Sequence, residues 1–254
     1  MKLFDLTGRV ALVTGGNGGI GLGMARGLAA AGASVMVAGR NRDKNAAAIR
    51  ALRELGAKAE AIEVDVTREE DCRAMAQATV ERLGGLTILV NNAGTNIRKR
   101  PEEYSLAEWH RVLDTNLTSA FMATQAVYPA MKRGGRGKVI NIGSMLSIFG
   151  GTAHAIYGAS KGGIVQLTRS VATSWARDNI QVNAVLPGWI DTDLTRAARR
   201  DIEGLHERVL ARTPAGRWGD PADFAGIAVF LASAASDFVT GAAIPVDGGF
   251  SVQV

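Results

Sequence analysis

The sequence predicts a single α/β domain over residues 1–254: a doubly wound sheet of seven parallel strands with helices on both faces. Three observations predict it. Short Val, Ile, Leu and Ala runs alternate with longer amphipathic stretches, as βαβ units require when a sheet is buried on both sides. A content of 47% hydrophobic residues, with 31 glycines and only 6 prolines, suits a large core with many tight turns and excludes a disordered chain. No repeat, low-complexity tract or linker interrupts the rhythm, and 254 residues is an ordinary length for one α/β unit.

In chain order, a strand is expected at 9–14, running into a glycine-rich turn, then a helix at 20–31. Strands at 34–38, 59–64 and 87–90 follow, separated by helices at 43–55 and 68–83, where apolar spacing changes from strand-like to helical. Helices at 106–116 and 118–132 lead to a strand at 138–142, and a long helix at 155–176 leads to one at 181–185. A helix at 221–232 and a strand at 243–246 complete the pattern. The charged segment 191–212 breaks the rhythm and is expected to form two short helices outside the sheet. It follows a strand's carboxyl end, where open α/β sheets bind ligands, so it reads as a substrate lid.

The formal charge of +5 raises the question of an acidic partner, but the cations are scattered. The densest runs, 98–100 and 196–200, are short and lack interleaved aromatics, which argues against nucleic acid. Cys72 is the lone cysteine, so no intrachain disulfide or cysteine-based zinc site is expected; no metal is expected at all. The first residues lack an apolar segment of signal-peptide length, and apolar runs elsewhere fall short of the ~18 residues of a membrane span. A cytoplasmic protein is expected, without membrane or nucleic-acid partners.

The turn TGGNGGIG at 14–21 joins the first strand to the first helix, where a dinucleotide pyrophosphate meets free backbone N–H groups and the positive helix end. Gly15 would make the turn, Gly19 admit the pyrophosphate and Gly21 bring helix and strand close, with Asn17 and Ile20 between them. The spacing departs from the usual G-x-G-x-x-G. About 20 residues on, where an NAD-binding chain carries Asp or Glu for the ribose 2′-hydroxyl, this one reads Gly39-Arg40-Asn41-Arg42. Arg40 or Arg42 can pair with a 2′-phosphate, so NADP is preferred over NAD. Asp65-Val66 and Asn91-Asn92-Ala93-Gly94 end the third and fourth strands, where adenine would lie.

Tyr157 and Lys161, four residues apart, share one helical face. A cation held near the phenol favours phenolate and moves its pKa from about 10 toward the working range, which makes the pair a proton-transfer device. Oxidising an alcohol removes a proton and a hydride, and only the proton needs a protein base.

Together TGGNGGIG, NNAG at 91–94, Asn116, Ser144, YGASK at 157–161 and Pro187-Gly188 occur in the order and approximate spacing of the short-chain dehydrogenase/reductase family, which the chain resembles over essentially its whole length. The resemblance implies a Rossmann fold and an NAD(P)-dependent oxidoreductase interconverting a secondary alcohol and a ketone. It makes Tyr157 the general acid/base, Ser144 the donor that orients the substrate oxygen, Lys161 the ligand of the nicotinamide ribose, and Asn116 the holder of a relay water. Asp65, Val66, Asn92, Ala93, Gly94, Pro187, Gly188, Ile190 and Thr192 would border the cofactor. The resemblance also implies a homo-oligomer, a dimer or tetramer pairing the helices at 118–132 and 155–176.

The segments 91–100, 142–147 and 214–219 resemble the family's sugar-acid dehydrogenases, such as those acting on gluconate or 2-deoxy-gluconate. A carboxylate is a natural partner for Arg98, on the loop after the fourth strand; His154 would face the same pocket and Trp189 cover a sugar ring. The alternatives are a 3-oxoacyl-thioester reductase, whose acidic carrier protein a basic surface would suit, and a non-catalytic dinucleotide sensor.

Overall fold

A computed structural model describes residues 2–253. Its sheet holds strands β1 (Val10–Thr14), β2 (Ser34–Ala38), β3 (Ala59–Ile62), β4 (Ile88–Asn91), β5 (Gly137–Ile142), β6 (Ile180–Pro187) and β7 (Ala243–Val246). They are all parallel, in the order β3-β2-β1-β4-β5-β6-β7. The chain leaves β1 in one direction for β2 and β3 and returns on its other side for β4, so a crevice opens above the carboxyl ends of β1 and β4.

Strand alternation sends Ala11 and Val13 to one face, against Met24 and Leu28 of α1 (Gly19–Ala30) and Ala228 and Leu231 of α9 (Ala225–Ala232). Val10 and Leu12 go to the other, against Met75 of α3 (Glu69–Leu83), Val127 of α5 (Ser119–Arg133) and Ala172 of α6 (Ala155–Trp175). The two helical layers bury the sheet on both sides, which is why its strands read as nearly continuous apolar runs. Close packing on the first face depends on Gly23, where a Cβ would lie 2.0 Å from Pro221 O. The remaining helices are α2 (Arg42–Arg53), α4 (Leu106–Leu113), α7 (Asp193–Asp201) and α8 (Leu205–Arg212). Among the described residues no helix is long and apolar enough to cross a membrane.

All seven expected strands form, and 191–212 does fold as two short helices, α7 and α8. Most boundaries fall within one or two residues of those expected, and three differences have a local cause. The helix expected at 106–116 ends at Leu113, and Asp114–Thr118 widens into a π turn in which Ser119 N donates to Asp114 O. The helix expected from 221 begins as a 3₁₀ turn, Pro221–Phe224, because the Asp220 carboxylate accepts from Ala222 N at 2.8 Å and tightens the start. Strand β6 runs on to Pro187, held by β7 along Ala184–Pro187.

A buried polar chain crosses the middle of the sheet. Asn91 Nδ2 donates to Asn141 Oδ1 (2.8 Å) and Thr124 Oγ1 (3.0 Å), and Asn141 Nδ2 to Thr168 Oγ1 (2.9 Å). These bonds fasten β4 and β5 to α5 and α6 directly beneath the crevice.

Candidate active site

The crevice is a cleft of about 430 Å³. Its β1 end is shaped by glycines. A Cβ at Gly21 would lie 2.4 Å from both Gly15 O and Asn92 Nδ2, and one at Gly19 would lie 3.2 Å from Thr192 Cγ2. Gly15 and Gly19 hold φ of +62° and +50°, which favour glycine. Asn92 Nδ2 donates to Thr14 O (3.1 Å) and Gly15 O (3.0 Å), so this side chain staples the turn to the end of β4. Thr14 Oγ1 accepts from Asn92 N and Ala93 N at 3.1 and 3.2 Å.

No side chain caps α1: its N-cap is Gly18, and no acidic residue lies in its first turn. The first N–H groups of this helix therefore point into the cleft with the positive end of its dipole. Ile20, Val66, Ala93 and Gly94 form the adjoining walls. Asp65 Oδ1 accepts from Thr67 N (3.0 Å) and Thr67 Oγ1 (2.8 Å), bonds that hold its carboxyl below the usual range, with a smaller contribution from Arg40. Arg40 is exposed on the cleft rim beside Lys44, whereas Arg42 does not line the cleft. Asn17 Nδ2 is engaged by Asn45 Oδ1 at 2.6 Å, and Asn45 Nδ2 holds Gly39 O at 2.8 Å, a brace across the β2 turn. Uncapped helix, glycine cradle and two rim cations together fit a phosphorylated dinucleotide.

At the other end of the cleft, Ser144, Tyr157 and Lys161 share one wall. Ser144 caps the turn Met145–Ser147, its Oγ accepting from Leu146 N at 3.1 Å and keeping its own proton to donate. Ser147 Oγ donates to Lys161 O at 2.7 Å, docking that turn onto α6. Lys161, 4% exposed, donates from Nζ to Ile142 O at 2.7 Å and lies 5.7 Å from the Tyr157 ring centroid. Burial pulls the Lys161 ammonium down to about 8.

The phenol departs from the sequence expectation. Burial pushes the Tyr157 pKa above that of an ordinary phenol; a hydrogen bond with Ser144 and the charge of Arg98 pull against it without winning. In the protein by itself Tyr157 is therefore protonated at neutral pH, with the Arg98 charge opposing the rise.

Asn116 sits in the π turn, with Oδ1 accepting from Thr95 N (2.7 Å) and Nδ2 donating to Thr95 O (2.9 Å) and Ser160 Oγ (3.0 Å). Both amide hydrogens are thus used in fastening the loop after β4 to α6. On that loop Arg98 Nε donates to His154 Nε2 at 3.3 Å. Burial, with Arg98 beside it, lowers the His154 pKa, so the imidazole is neutral and presents Nε2 as acceptor. Tyr104 Oη, 2.8 Å from Ile97 O and 3.2 Å from Ala153 O, braces the same two segments.

Pro187, Gly188, Ile190 and Thr192 line the cleft where β6 ends, and Thr192 N donates to Thr195 Oγ1 at 3.0 Å as α7 starts. Trp189 does not join them. It packs edge-on to Trp218 with ring centroids 5.5 Å apart and lines a separate cavity of about 210 Å³ with Thr213 and Asp223. Lys44, Asn45 and Tyr104 were not singled out by sequence. The Lys44–Asp193 ion pair, 2.8 Å across the cleft mouth, ties α2 to α7 and has no local sequence signal.

Residues 15–251 match the family model described as enoyl-(acyl carrier protein) reductase. The chain is 42% identical over 255 residues to the 2-dehydro-3-deoxy-D-gluconate 5-dehydrogenase of Formosa agariphila, covering 100% of this chain and 97% of that protein. It is 41% identical to the gluconate 5-dehydrogenase of Gluconobacter oxydans over 99% of this chain and 98% of the relative. A solved gluconate 5-dehydrogenase from Burkholderia cenocepacia, in complex with NADP and tartrate, superposes with a TM-score of 0.94 at 42% identity, covering 100% of this chain and 99% of that one.

Proposed function

This chain belongs to the short-chain dehydrogenase/reductase family and is an oxidoreductase acting on CH–OH groups, and from that premise we propose that it interconverts a gluconate-type sugar acid and its keto acid using NADP(H). One observation carries the reading. The Tyr157 phenol stands in one cleft with Ser144, feels the charge of Arg98, and faces a glycine turn and helix end suited to phosphates. The names of relatives matched over their full length favour the 5-position as the carbon oxidised.

When bound, the cofactor supplies the hydride acceptor or donor. In ketone reduction Ser144 donates a hydrogen bond to the carbonyl oxygen, and Tyr157 passes its phenolic proton to that oxygen as the alcohol forms. In oxidation Tyr157 must first be phenolate; it then takes the hydroxyl proton. A phenol held above its ordinary pKa is loaded as an acid at neutral pH, which favours reduction there. Lys161, buried against Ile142 O, would reach a ribose hydroxyl and hold it beside the phenol. Arg98, steadied by His154, would take the substrate carboxylate through a charge-assisted contact. Asn116 would set the loop that carries Arg98. Asn17, Asn92 and Asp65 would act mainly by fixing the turns around the dinucleotide, whereas Arg40, helped by Lys44, would hold the 2′-phosphate and give the NADP preference.

The α7–α8 segment would close over the substrate as a lid pinned by the Lys44–Asp193 pair. A homo-oligomer, dimer or tetramer, is proposed with it. Trp109 and Phe121, 38% and 45% exposed on α4 and α5, offer the apolar face that such a contact would cover. A cytoplasmic site of action is proposed from the lone, buried Cys72. Turnover of gluconate, 2-dehydro-3-deoxygluconate, neutral polyols and acetoacetyl thioesters, followed as NADPH absorbance, tests the assignment. Sugar-acid turnover is expected; turnover of the thioester alone would replace this reading with the acyl-thioester one.

A further inference from the structure

At the end of the strands opposite the cleft, the amino ends of β1, β4, β5 and β6 surround a second cavity of about 60 Å³. Arg9, Arg136 and Lys138 line it, against one carboxylate, Asp237. Lys138 is 8% exposed and its Nζ is held by Asp237 Oδ1 at 2.7 Å and Ser236 Oγ at 3.2 Å, so the single anion is already paired. Neither Arg9 nor Arg136 forms an ion pair among the described residues, and Arg9 is half-buried. Of the neutral groups, Thr87 Oγ1 is 3.1 Å from Val10 N, and Asn179 Nδ2 donates to Gly135 O at 3.0 Å. Gln181 Nε2 reaches Asn179 Oδ1 at 3.3 Å and has a second proton to offer.

Cations gathered around a small concavity repel one another, and their burial weakens screening by water. The two arginines do so here: burial and the charge of Arg136 pull the Arg9 guanidinium below its ordinary pKa. A bound anion would relieve this repulsion. A cavity far smaller than the 430 Å³ cleft admits an ion and excludes a nucleotide.

We propose that Arg9, Arg136 and Lys138 form a binding site for one small tetrahedral oxyanion, of phosphate or sulfate size, that joins the amino ends of β1 and β5 and steadies the fold. Forked guanidinium donors suit such an ion better than a halide.

The test is thermal unfolding of the full chain and of its Arg9→Gln and Arg136→Gln variants in sulfate, in phosphate, and in chloride of equal ionic strength. At roughly fivefold the dissociation constant, both oxyanions are expected to raise the parent Tm by about 2–4 °C beyond chloride. Most of that rise is expected to vanish in either variant. Any anion effect in the cofactor cleft is common to all three proteins and cancels in the comparison. Arg136 is exposed, so its variant carries the test if Arg9→Gln does not fold. Selenate soaked into crystals is expected to give an anomalous peak between the two arginines. Equal oxyanion shifts in parent and variants, or no peak, would overturn the proposal.

Discussion

Arg98 Nε donates to His154 Nε2 across 3.3 Å, tying the loop after β4 to the residue that precedes α6, and the Arg98 charge reaches the Tyr157 phenol three residues further on. One guanidinium therefore stands to serve two purposes, holding a substrate carboxylate and lowering the pKa of the acid.

Replacing Arg98 with Gln should separate these roles. Loss of a charge-assisted hydrogen bond costs about 1.5–3 kcal/mol, so kcat/KM for an aldonate should fall roughly 10- to 100-fold, with little change for a neutral polyol. Because the Arg98 charge opposes the rise in the Tyr157 pKa, the limb of the oxidation profile on which the rate climbs with pH should move to higher pH in the variant. A pH–rate series on both substrates reads both effects.

Lys161 carries a stability cost. Burial lowers its ammonium pKa from the 10.5 of a free lysine to about 8 in the fold. Between those values the unfolded chain binds more protons, so this residue makes stability rise with pH in that window and penalises the fold below it. Lys161→Met should therefore unfold about 2–4 °C higher than the parent at neutral pH, the shift for ~1 kcal/mol. The gap should narrow from pH 8 to 10 while activity is lost throughout. Melting curves across that range measure it.

Arg40→Asp should invert cofactor choice. A carboxylate there repels a 2′-phosphate and accepts a ribose hydroxyl, so kcat/KM with NADPH should drop about 10- to 100-fold while that with NADH holds or rises. Steady-state kinetics with each cofactor decide it, and unchanged ratios would move the preference elsewhere.

Gly21→Ala probes the turn itself. The added methyl would lie 2.4 Å from Gly15 O, too close for the present backbone, and should cost about 1–3 kcal/mol together with dinucleotide affinity. Melting temperature and NADPH fluorescence titration report the two losses separately.

Much of this was legible in the chain. Val10–Thr14 and Ser34–Ala38 read as strands because both faces are buried, and the Tyr157–Lys161 spacing survives in any helix. The rest depends on distance and burial. The Lys44–Asp193 pair joins positions 149 apart, and Asn141 pairs with Asn91 only because β4 and β5 align them. The π turn at Asp114–Thr118 keeps the polar pattern of the helix it interrupts, so periodicity runs through it unmarked. Trp189 follows β6 at the cleft end of the sheet, but Trp218, from beyond the lid, draws it into another cavity. The direction of the Tyr157 pKa turns on burial, which spacing does not report.

The central claim is that Tyr157 moves the proton. Tyr157→Phe removes the hydroxyl and leaves the ring, so NADPH binding, read by fluorescence, should remain within a few-fold of the parent. The turnover number on the sugar acid should fall by about 10²–10⁴-fold, the contribution of a positioned acid or base. A variant that binds NADPH and turns over within tenfold of the parent would contradict the account.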